Sequence, residues 1–391
     1  MVTSMRQYES SHPWIKFSCN LSKADTKLWI LLGEAASKCD HLAHVPLRPN
    51  TADKIYRLYL AKGIAATTAI EGNTLSEEQV LEAIDGKLKV PPSLEYQKQE
   101  VENIRDAFNT ILHGIKTNTL NQVSSSLICG YNSAVLNNLE LEEGIVPGIL
   151  RTHTAVVGRV YRGVHAEDCQ YLLDSLCGWL NGPDFQPPEA WPDSGEKAFA
   201  ILKSIIAHLY LAWIHPFGDG NGRTARLLEL HILLAAGVPS PAAHLLSNHY
   251  NLTRPEYYRQ LALASKSGGD ILPFINYAVS GFVDGLHRQL QEIWVQQWDI
   301  VWENYVNEFF GDVKSEFRMR QRKLALAIGK VEGWLETSHI PDISIALARE
   351  YSKKTPKTIK RDVEYLREQK IIEVESGKIR ANRKLVFAFL P

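Results

Sequence analysis

The chain has 391 residues, 45% of them hydrophobic, which leaves room for two or three domains and supplies enough apolar side chain for a real core. Lys and Arg number 43 against 44 Asp and Glu, and the formal net charge of −1 excludes a whole-protein nucleic-acid or membrane surface. Cys19, Cys39, Cys129, Cys169 and Cys177 form no CxxC pair, and their odd count with no secretory leader predicts a reduced, cytoplasmic chain.

Residues 1–20 are a polar arm whose Trp14, Ile15 and Phe17 can pack against a body. Leu28, Leu31, Leu32 and Ala35 predict a helix from Lys27 to Ala36, and Pro46, Pro49 and Asn50 a break after it. Ile55, Leu58, Tyr59 and Ile64 give Asp53 to Thr68 a second helix. Gly72 ends it and leaves Glu71 in the last turn. A carboxylate is unfavourable at the negative end of a helix, so Glu71 needs a cationic partner, a surface lysine being the plain local choice.

Ser76-Glu-Glu-Gln opens a helix to Ile84 as a capping box. Gly86 to Pro92 is a loop. Tyr96 to Gly114 is a helix with Val101, Ile104, Phe108, Ile111 and Leu112 on one face and Glu100, Glu102 and Asp106 on the solvated one. A further helix is predicted from Gln122 to Leu136. Between Gly148 and Gly163 the period changes to alternation with β-branched residues, which reads as a short hairpin. His153 and His165 nearby read as surface or satisfied histidines. Asp168 to Leu180 is helical, and Asn181 to Gly195 is a Pro-rich loop with Trp191.

Glu196 to Trp213 and Arg223 to Leu234 carry apolar residues at helical spacing, and His215-Pro-Phe-Gly-Asp-Gly-Asn-Gly-Arg-Thr-Ala-Arg226 joins them. The three glycines let the backbone turn tightly into a helix N-terminus, whose free N–H groups and positive dipole end make an anion site. Arg223 and Arg226, three apart, suit phosphate. Asp219 is a hard oxygen ligand of the kind that holds Mg²⁺ on phosphates, and His215 can act as a general base.

That stretch matches the Fic-domain signature His-x-Phe-x-(Asp/Glu)-Gly-Asn-Gly-Arg-x-x-Arg at every specified position. The chain thus resembles Fic adenylyltransferases of the Fic/DOC superfamily, which move AMP from ATP onto a hydroxyl of a target protein. The resemblance implies a mainly α fold, a Fic helical core with a small β-hairpin flap. His215 would be catalytic and Asp219 would hold Mg²⁺. Gly218, Gly220, Asn221, Gly222, Arg223 and Arg226 would bind the phosphates of ATP, with Asn221 and the Gly222 amide on the α-phosphate and the arginines beyond it. Phe217 would be the buried anchor of the loop.

Thr67-x-x-x-Glu71-Gly72 resembles the inhibitory motif of one Fic class, which implies that Glu71 pairs with Arg226. Thr154, Val156, Val157 and Gly158 resemble the flap, whose edge would register a segment of the target protein by β-augmentation. Tyr161-Arg-Gly-Val-His-Ala-Glu-Asp departs from the family's usual turn there. Tyr257 and Tyr258 resemble a family segment near the nucleotide base, or are core residues of a helix. Thr253 stands where the family has asparagine.

Ile271 to Trp302 is one long helix, continued with interruptions to Leu335. Residues 321–391 hold fifteen Lys and Arg against nine Asp and Glu. Ser344 to Tyr351 is a short helix, and Thr355-Pro356 starts another with Ile359, Val363 and Leu366 inward. Ile371 to Val374 and Leu385 to Phe389 predict a hairpin wing about Ser376-Gly-Lys. This resembles a winged helix-turn-helix whose Lys354, Lys357, Lys360 and Arg361 would meet DNA phosphates, or a related module that contacts protein.

The expected domains are a helical region at 1–115 with the inhibitory motif, a Fic core at 116–290, a helical linker at 291–320 and the winged domain at 321–391. The expected activity is AMP transfer from ATP with Mg²⁺ to a Ser, Thr or Tyr hydroxyl, restrained by Glu71. Alternatives are transfer of another nucleotide or phosphate-linked moiety, removal of AMP, or a DNA-binding regulator with a Fic sensor. A second copy of the chain and DNA are further candidate partners; a membrane is not. The longest apolar runs are interrupted by Lys203 and His208 or by Glu229 and His231, so no membrane helix is expected.

Overall fold

The computed structural model describes residues 6–120, 122–157, 161–187 and 194–386. They fall into two compact units, Met1–Leu290 and Gln291–Pro391. The first unit is almost wholly helical. Its elements are α1 (Gln7–Ser11), α2 (Thr26–His44), α3 (Pro49–Ala69), α4 (Glu77–Ile84), α5 (Glu95–Lys116), α6 (Ser125–Val135), strands β1 (Val156–Val157) and β2 (Tyr161–Arg162), α7 (Cys169–Leu180), α8 (Ser194–Ile214), α9 (Asn221–Ala235), α10 (Ser240–Ala243), α11 (Leu245–Leu252) and α12 (Arg254–Lys266); α13 (Leu272–Phe310) continues into the second unit.

Local chemistry sets several of these boundaries. The Asp25 carboxylate accepts from Leu28 N at 2.9 Å and caps α2, while Ser76 and Gln79 close a reciprocal capping box on α4. Pro49, which the sequence suggested as part of a break, instead occupies the first turn of α3, where its missing N–H costs nothing. Helix α2 runs on to His44, well past Ala36, and α13 runs unbroken to Phe310, past the predicted end at Trp302.

Helices α8 and α9 form the centre, with α2 and α7 against α8 and α5 and α6 against α9. Apolar residues ring α8: Ile201, Leu202, Ile205, Ile206, Leu209, Leu211 and Ile214 are all buried. Such a helix belongs in a core. Gly195–Ile214 is long and apolar enough to cross a membrane by length and composition, because Lys203 and His208 interrupt it sparsely, but most of it is buried inside the fold, as in a core helix.

The N-terminal arm packs on this body. Tyr8 N donates to Asp168 Oδ2 at 2.9 Å, ahead of α7. His12, kept neutral by burial, pairs through Nε2 with the Arg162 carbonyl of β2 at 2.8 Å. Strands β1 and β2 pair antiparallel as the predicted hairpin, Val156 opposite Arg162 and Val157 opposite Tyr161.

The second unit has its own core. Trp298, Trp302 and Val306 of α13 are buried with Leu324 and Ile328 of α14 (Glu316–Gly329), so residues assigned to a linker are core residues. Gly329 is required there, since a Cβ would come within 2.0 Å of the Trp302 ring. Then follow β3 (Leu335–Glu336), α15 (Ile345–Tyr351), α16 (Pro356–Glu368), β4 (Ile372–Glu375) and β5 (Lys378–Ala381), the strands lying in the order β3-β5-β4. The returning strand is Lys378–Ala381; of the expected strand Leu385 to Phe389, Leu385 ends a short helical turn and residues 387–389 lie outside the described residues. Ser376 and Gly377, both at positive φ, turn the chain at once, and a two-residue turn leaves the partner strand immediately downstream. Asp362 of α16 is fully buried and accepts from Arg320 Nε at 2.6 Å, Gln321 Nε2 at 3.2 Å and the Tyr351 hydroxyl at 3.1 Å, which fixes α16 in its unit.

Candidate active site

The loop between α8 and α9 is held from three sides. His215 leaves α8 with φ of 50°, a left-handed conformation that costs a non-glycine residue about 1–3 kcal/mol unless its surroundings enforce it. Arg151 enforces it. Its Nε donates to the His215 carbonyl at 2.7 Å, its Nη1 to the His153 carbonyl at 2.6 Å, and its Nη2 to the Val164 carbonyl. Both ends of the β1–β2 hairpin are thereby tied to His215. The bridge between Leu150 and Phe217 adds a backbone contact, and Phe217 is buried as its predicted anchoring role requires.

Asn132 of α6 holds the next turn, donating to the Asp219 carbonyl at 2.9 Å and accepting from Gly148 N at 2.9 Å. Gly220, at φ of 75°, caps α9, and a Cβ there would approach Asn132 within 3.0 Å. Asn221 differs from its expected use. Its side chain is buried and clasps Phe217, accepting from that residue's N at 3.0 Å and donating to its carbonyl at 2.8 Å. It shapes the loop from inside.

Burial, and next the Arg151 cation, hold the His215 imidazole down at about 4, so it is neutral at physiological pH and able to accept a proton. Asp219 is partly exposed. Its carboxylate accepts from Gly220 N at 2.5 Å and lies 3.3 and 3.4 Å from Arg223 Nη2.

Both arginines are buried and both are met by a glutamate. Arg226 Nη2 donates to Glu71 Oε1 at 2.6 Å and to the Thr67 carbonyl at 3.0 Å. Glu71 lies just past α3, and Gly72 at φ of 107° turns the chain away. Desolvation pushes the Glu71 carboxyl up, but the charge of Arg226 and its hydrogen bond outweigh that and hold it below the usual range. Among the described residues, Arg226 Nε and Nη1 are buried without a hydrogen-bond partner. The two motifs set 155 residues apart thus meet in a single ion pair.

Arg223 Nη1 donates to Glu100 Oε1 at 2.6 Å. Glu100 is 6% exposed, which corrects its placement on the solvated face of α5; Glu102 and Asp106 remain partly or fully exposed. Burial raises the Glu100 carboxyl and Arg223 offsets this only in part. The helical pattern could not reveal the pair, because the cation that makes burial tolerable lies on α9.

Tyr257 and Tyr258 divide. Tyr257 is 3% exposed, with its hydroxyl 2.8 Å from His208 Nε2, so it is a core residue. Tyr258 is 43% exposed, and its hydroxyl donates to the Ile70 carbonyl at 3.4 Å, beside the Glu71 turn. Thr154 is exposed ahead of β1; Val156 and Val157 form β1, and Gly158 lies outside the described residues. Arg151 and Asn132 hold the loop through backbone groups and Glu100 pairs with a cation on another helix, so none of the three is marked as a site residue by its local sequence.

The comparisons with known proteins converge. The Fic/DOC family matches residues 122–233. Protein adenylyltransferase fic-1 of Caenorhabditis elegans is 29% identical over 270 residues, 69% of this chain and 48% of that one. Protein adenylyltransferase Fic of Nematostella vectensis is 27% identical over 258 residues, 63% of this chain and 52% of that one. The chain spans about half the length of these curated relatives. In fold it is similar to a Fic family protein from Desulfovibrio desulfuricans, with a TM-score of 0.56 and 21% identity over 93% of this chain and 98% of that one. A solved portion of C. elegans Fic-1 gives a TM-score of 0.52 and 24% identity over 68% of this chain and 73% of that one. The stretch that the Fic/DOC family matches, residues 122–233, contains the whole loop from His215 to Arg226.

Proposed function

We propose that the protein transfers AMP from ATP to a hydroxyl side chain of a target protein, and that Glu71 restrains it. The observation that carries this reading is the head of α9, where buried Arg226 keeps Nε and Nη1 without a hydrogen-bond partner among the described residues and Glu71 supplies the anion that a phosphate would otherwise be. A Cβ on Gly222 would lie 2.2 Å from Glu71 Oε1 and 3.1 Å from Arg226 Nη1, so this glycine keeps the approach to the arginine open. The adenylyltransferase names of the relatives favour this reading over transfer of other groups, removal of AMP or a sensor role.

In this reading His215 accepts the hydroxyl proton as the target oxygen attacks the α-phosphate and pyrophosphate leaves. An imidazole near 4 is a weak base in the free protein. A polyphosphate beside it stabilises the imidazolium that forms and raises its basicity at the moment of use. Arg223 and Arg226 hold the phosphates beyond the α position, and the α9 amides face the α-phosphate oxygens. Asp219, with a partly exposed carboxylate and only long contacts to Arg223, fits one protein ligand of a Mg²⁺ otherwise bound by phosphates and water. Bound there, the ion would neutralise charge on the phosphates.

The target segment docks on the β1–β2 hairpin. The second unit, a winged helix in this reading, offers Lys354, Lys357, Lys360 and Arg361, all exposed, to DNA phosphates. Cys19, Cys39, Cys129, Cys169 and Cys177 are free thiols, which suits a reducing compartment. The test is incubation with α-labelled ATP beside labelled UTP and CTP. Label retained by protein from ATP alone is expected, and none from any nucleotide in the Glu71→Gly variant overturns the reading.

A further inference from the structure

Arg223 is gripped from two sides, and the two grips differ in kind. Glu100 Oε1 accepts from Nη1 at 2.6 Å and is buried. Asp219, on the other side, is partly exposed and lies at 3.3 and 3.4 Å from Nη2. The second oxygen of Glu100 accepts from Asn73 Nδ2 at 3.0 Å, and the same amide reaches the Gln97 carbonyl at 2.8 Å. Asn73 stands two residues after Glu71, and its Oδ1 accepts from Leu75 N at 3.0 Å. The turn that carries Glu71 is thus hydrogen-bonded to the carboxylate that holds Arg223.

We propose that Glu100 is a positioning residue for the polyphosphate, anchoring Arg223 at the first turn of α9 in both the restrained and the active protein, with Asn73 fixing the anchor. Two glutamates on two phosphate-facing arginines invite the idea of two inhibitors. Burial separates them. The Glu71 side chain is 32% exposed, so it can swing into water and yield Arg226 to an anion. Glu100 has no such exit, because leaving Arg223 would strand a desolvated carboxylate with Asn73 alone. Arg223 meanwhile keeps capacity for a ligand: its Nε is buried without a hydrogen-bond partner among the described residues, its contacts from Nη2 to Asp219 are long, and the Tyr96 hydroxyl is its other side-chain neighbour. An arginine held firmly at one nitrogen and loosely at another is preorganised for a phosphate and loses less freedom on binding.

This inference rests on the ATP reading above, and titration calorimetry on the full chain tests both. MgATP and AMP are titrated into Glu71→Gly, Glu71→Gly/Glu100→Gln and Glu71→Gly/Asn73→Ala. AMP lacks the phosphates that Arg223 would hold. With Glu100→Gln the MgATP affinity is expected to fall about tenfold or more, as for loss of a charged hydrogen bond, with AMP affinity unchanged. Asn73→Ala is expected to act in the same direction and less. Tighter MgATP binding would make Glu100 a second inhibitor; an equal fall for both ligands would make it a general structural residue; no change would make it idle. Each overturns the proposal. If Glu71→Gly itself fails to bind MgATP, the ATP reading has failed and takes the inference with it, a result visible in the parent variant. Should Glu100→Gln not fold by thermal denaturation, Glu100→Asp keeps the charge with a shorter reach and must show the same loss specific to MgATP.

Discussion

Glu71 Oε1 lies 2.6 Å from Arg226 Nη2 and sits over Gly222, where an added Cβ would come within 2.2 Å of it. The carboxylate therefore occupies the same small volume that the signature's glycine leaves open. The residue at the exit of α3 thus fills the space that the glycine at the entrance of α9 leaves beside Arg226.

That overlap makes Gly222→Ala informative about Glu71 as well as about the loop. Alone, the alanine must push the carboxylate off Arg226 and is expected to cost about 1–3 kcal/mol, as overpacking normally does. In a Glu71→Gly background the closest atom is gone, and the cost should shrink. A double-mutant cycle by urea denaturation reads the coupling. Additive costs would mean that the two residues do not share the space.

His215→Ala should lower transfer by about 10²–10⁴-fold while MgATP binding stays within a few-fold, because the arginines and amides of α9 are untouched. Calorimetry and a labelled-ATP assay on the same preparation separate the two effects. Retained transfer would remove His215 from the chemistry.

Burial holds His244, like His215, down at about 4. An unfolded histidine titrates near about 6.5, so between these values the unfolded chain binds more protons than the folded one. The stability from keeping these rings neutral is complete above about 6.5 and is lost as pH falls through about 4. For His244, 4% exposed and packed against Phe108, this is worth about 1–3 kcal/mol. Urea midpoints at pH 7 and pH 5 should differ less in His244→Gln than in the parent chain, after correction for the variant's own loss at pH 7. For the same reason, kcat/KM should show no acidic limb from His215 until pH approaches about 4.

If the second unit binds DNA, the full chain should shift a duplex probe with steep salt dependence. Lys357→Ala and Lys360→Ala should each lower the magnitude of the log–log salt slope by roughly one. No shift at low salt would leave this surface to a protein partner.

The contiguous part of the site was legible because loop, cap and arginines lie within twelve residues and each follows from local backbone chemistry. Glu71 could be recognised as needing a cation, since a carboxylate past a helix C-terminus is unfavourable there; the resemblance supplied which cation. Glu100 was misread for a physical reason. On α5 alone it falls beside Glu102 and Asp106, and only the long-range approach of Arg223 makes its burial tolerable. Arg151 was missed similarly, as its three acceptors are carbonyls of His153, Val164 and His215, which carry no side-chain signal. In the second unit, Trp298 and Trp302 were assigned to a linker because helical continuity hides where one core ends and another begins.

In the proposed restraint, Glu71 withholds Arg226 from ATP. Removing one partner of a buried pair is costly because it strands the other; with Glu71 a third exposed, about 1–3 kcal/mol is expected without nucleotide, part of it regained with MgATP. The direct measurement is the initial rate of AMP incorporation into protein from labelled ATP and Mg²⁺, for the parent chain, Glu71→Gly, Glu71→Asp and Glu71→Gly/His215→Ala. The highest rate is expected in Glu71→Gly, an intermediate rate in Glu71→Asp, a low one in the parent chain, and loss of incorporation in the double variant. A folded Glu71→Gly that transfers AMP no faster than the parent chain would contradict the proposed restraint.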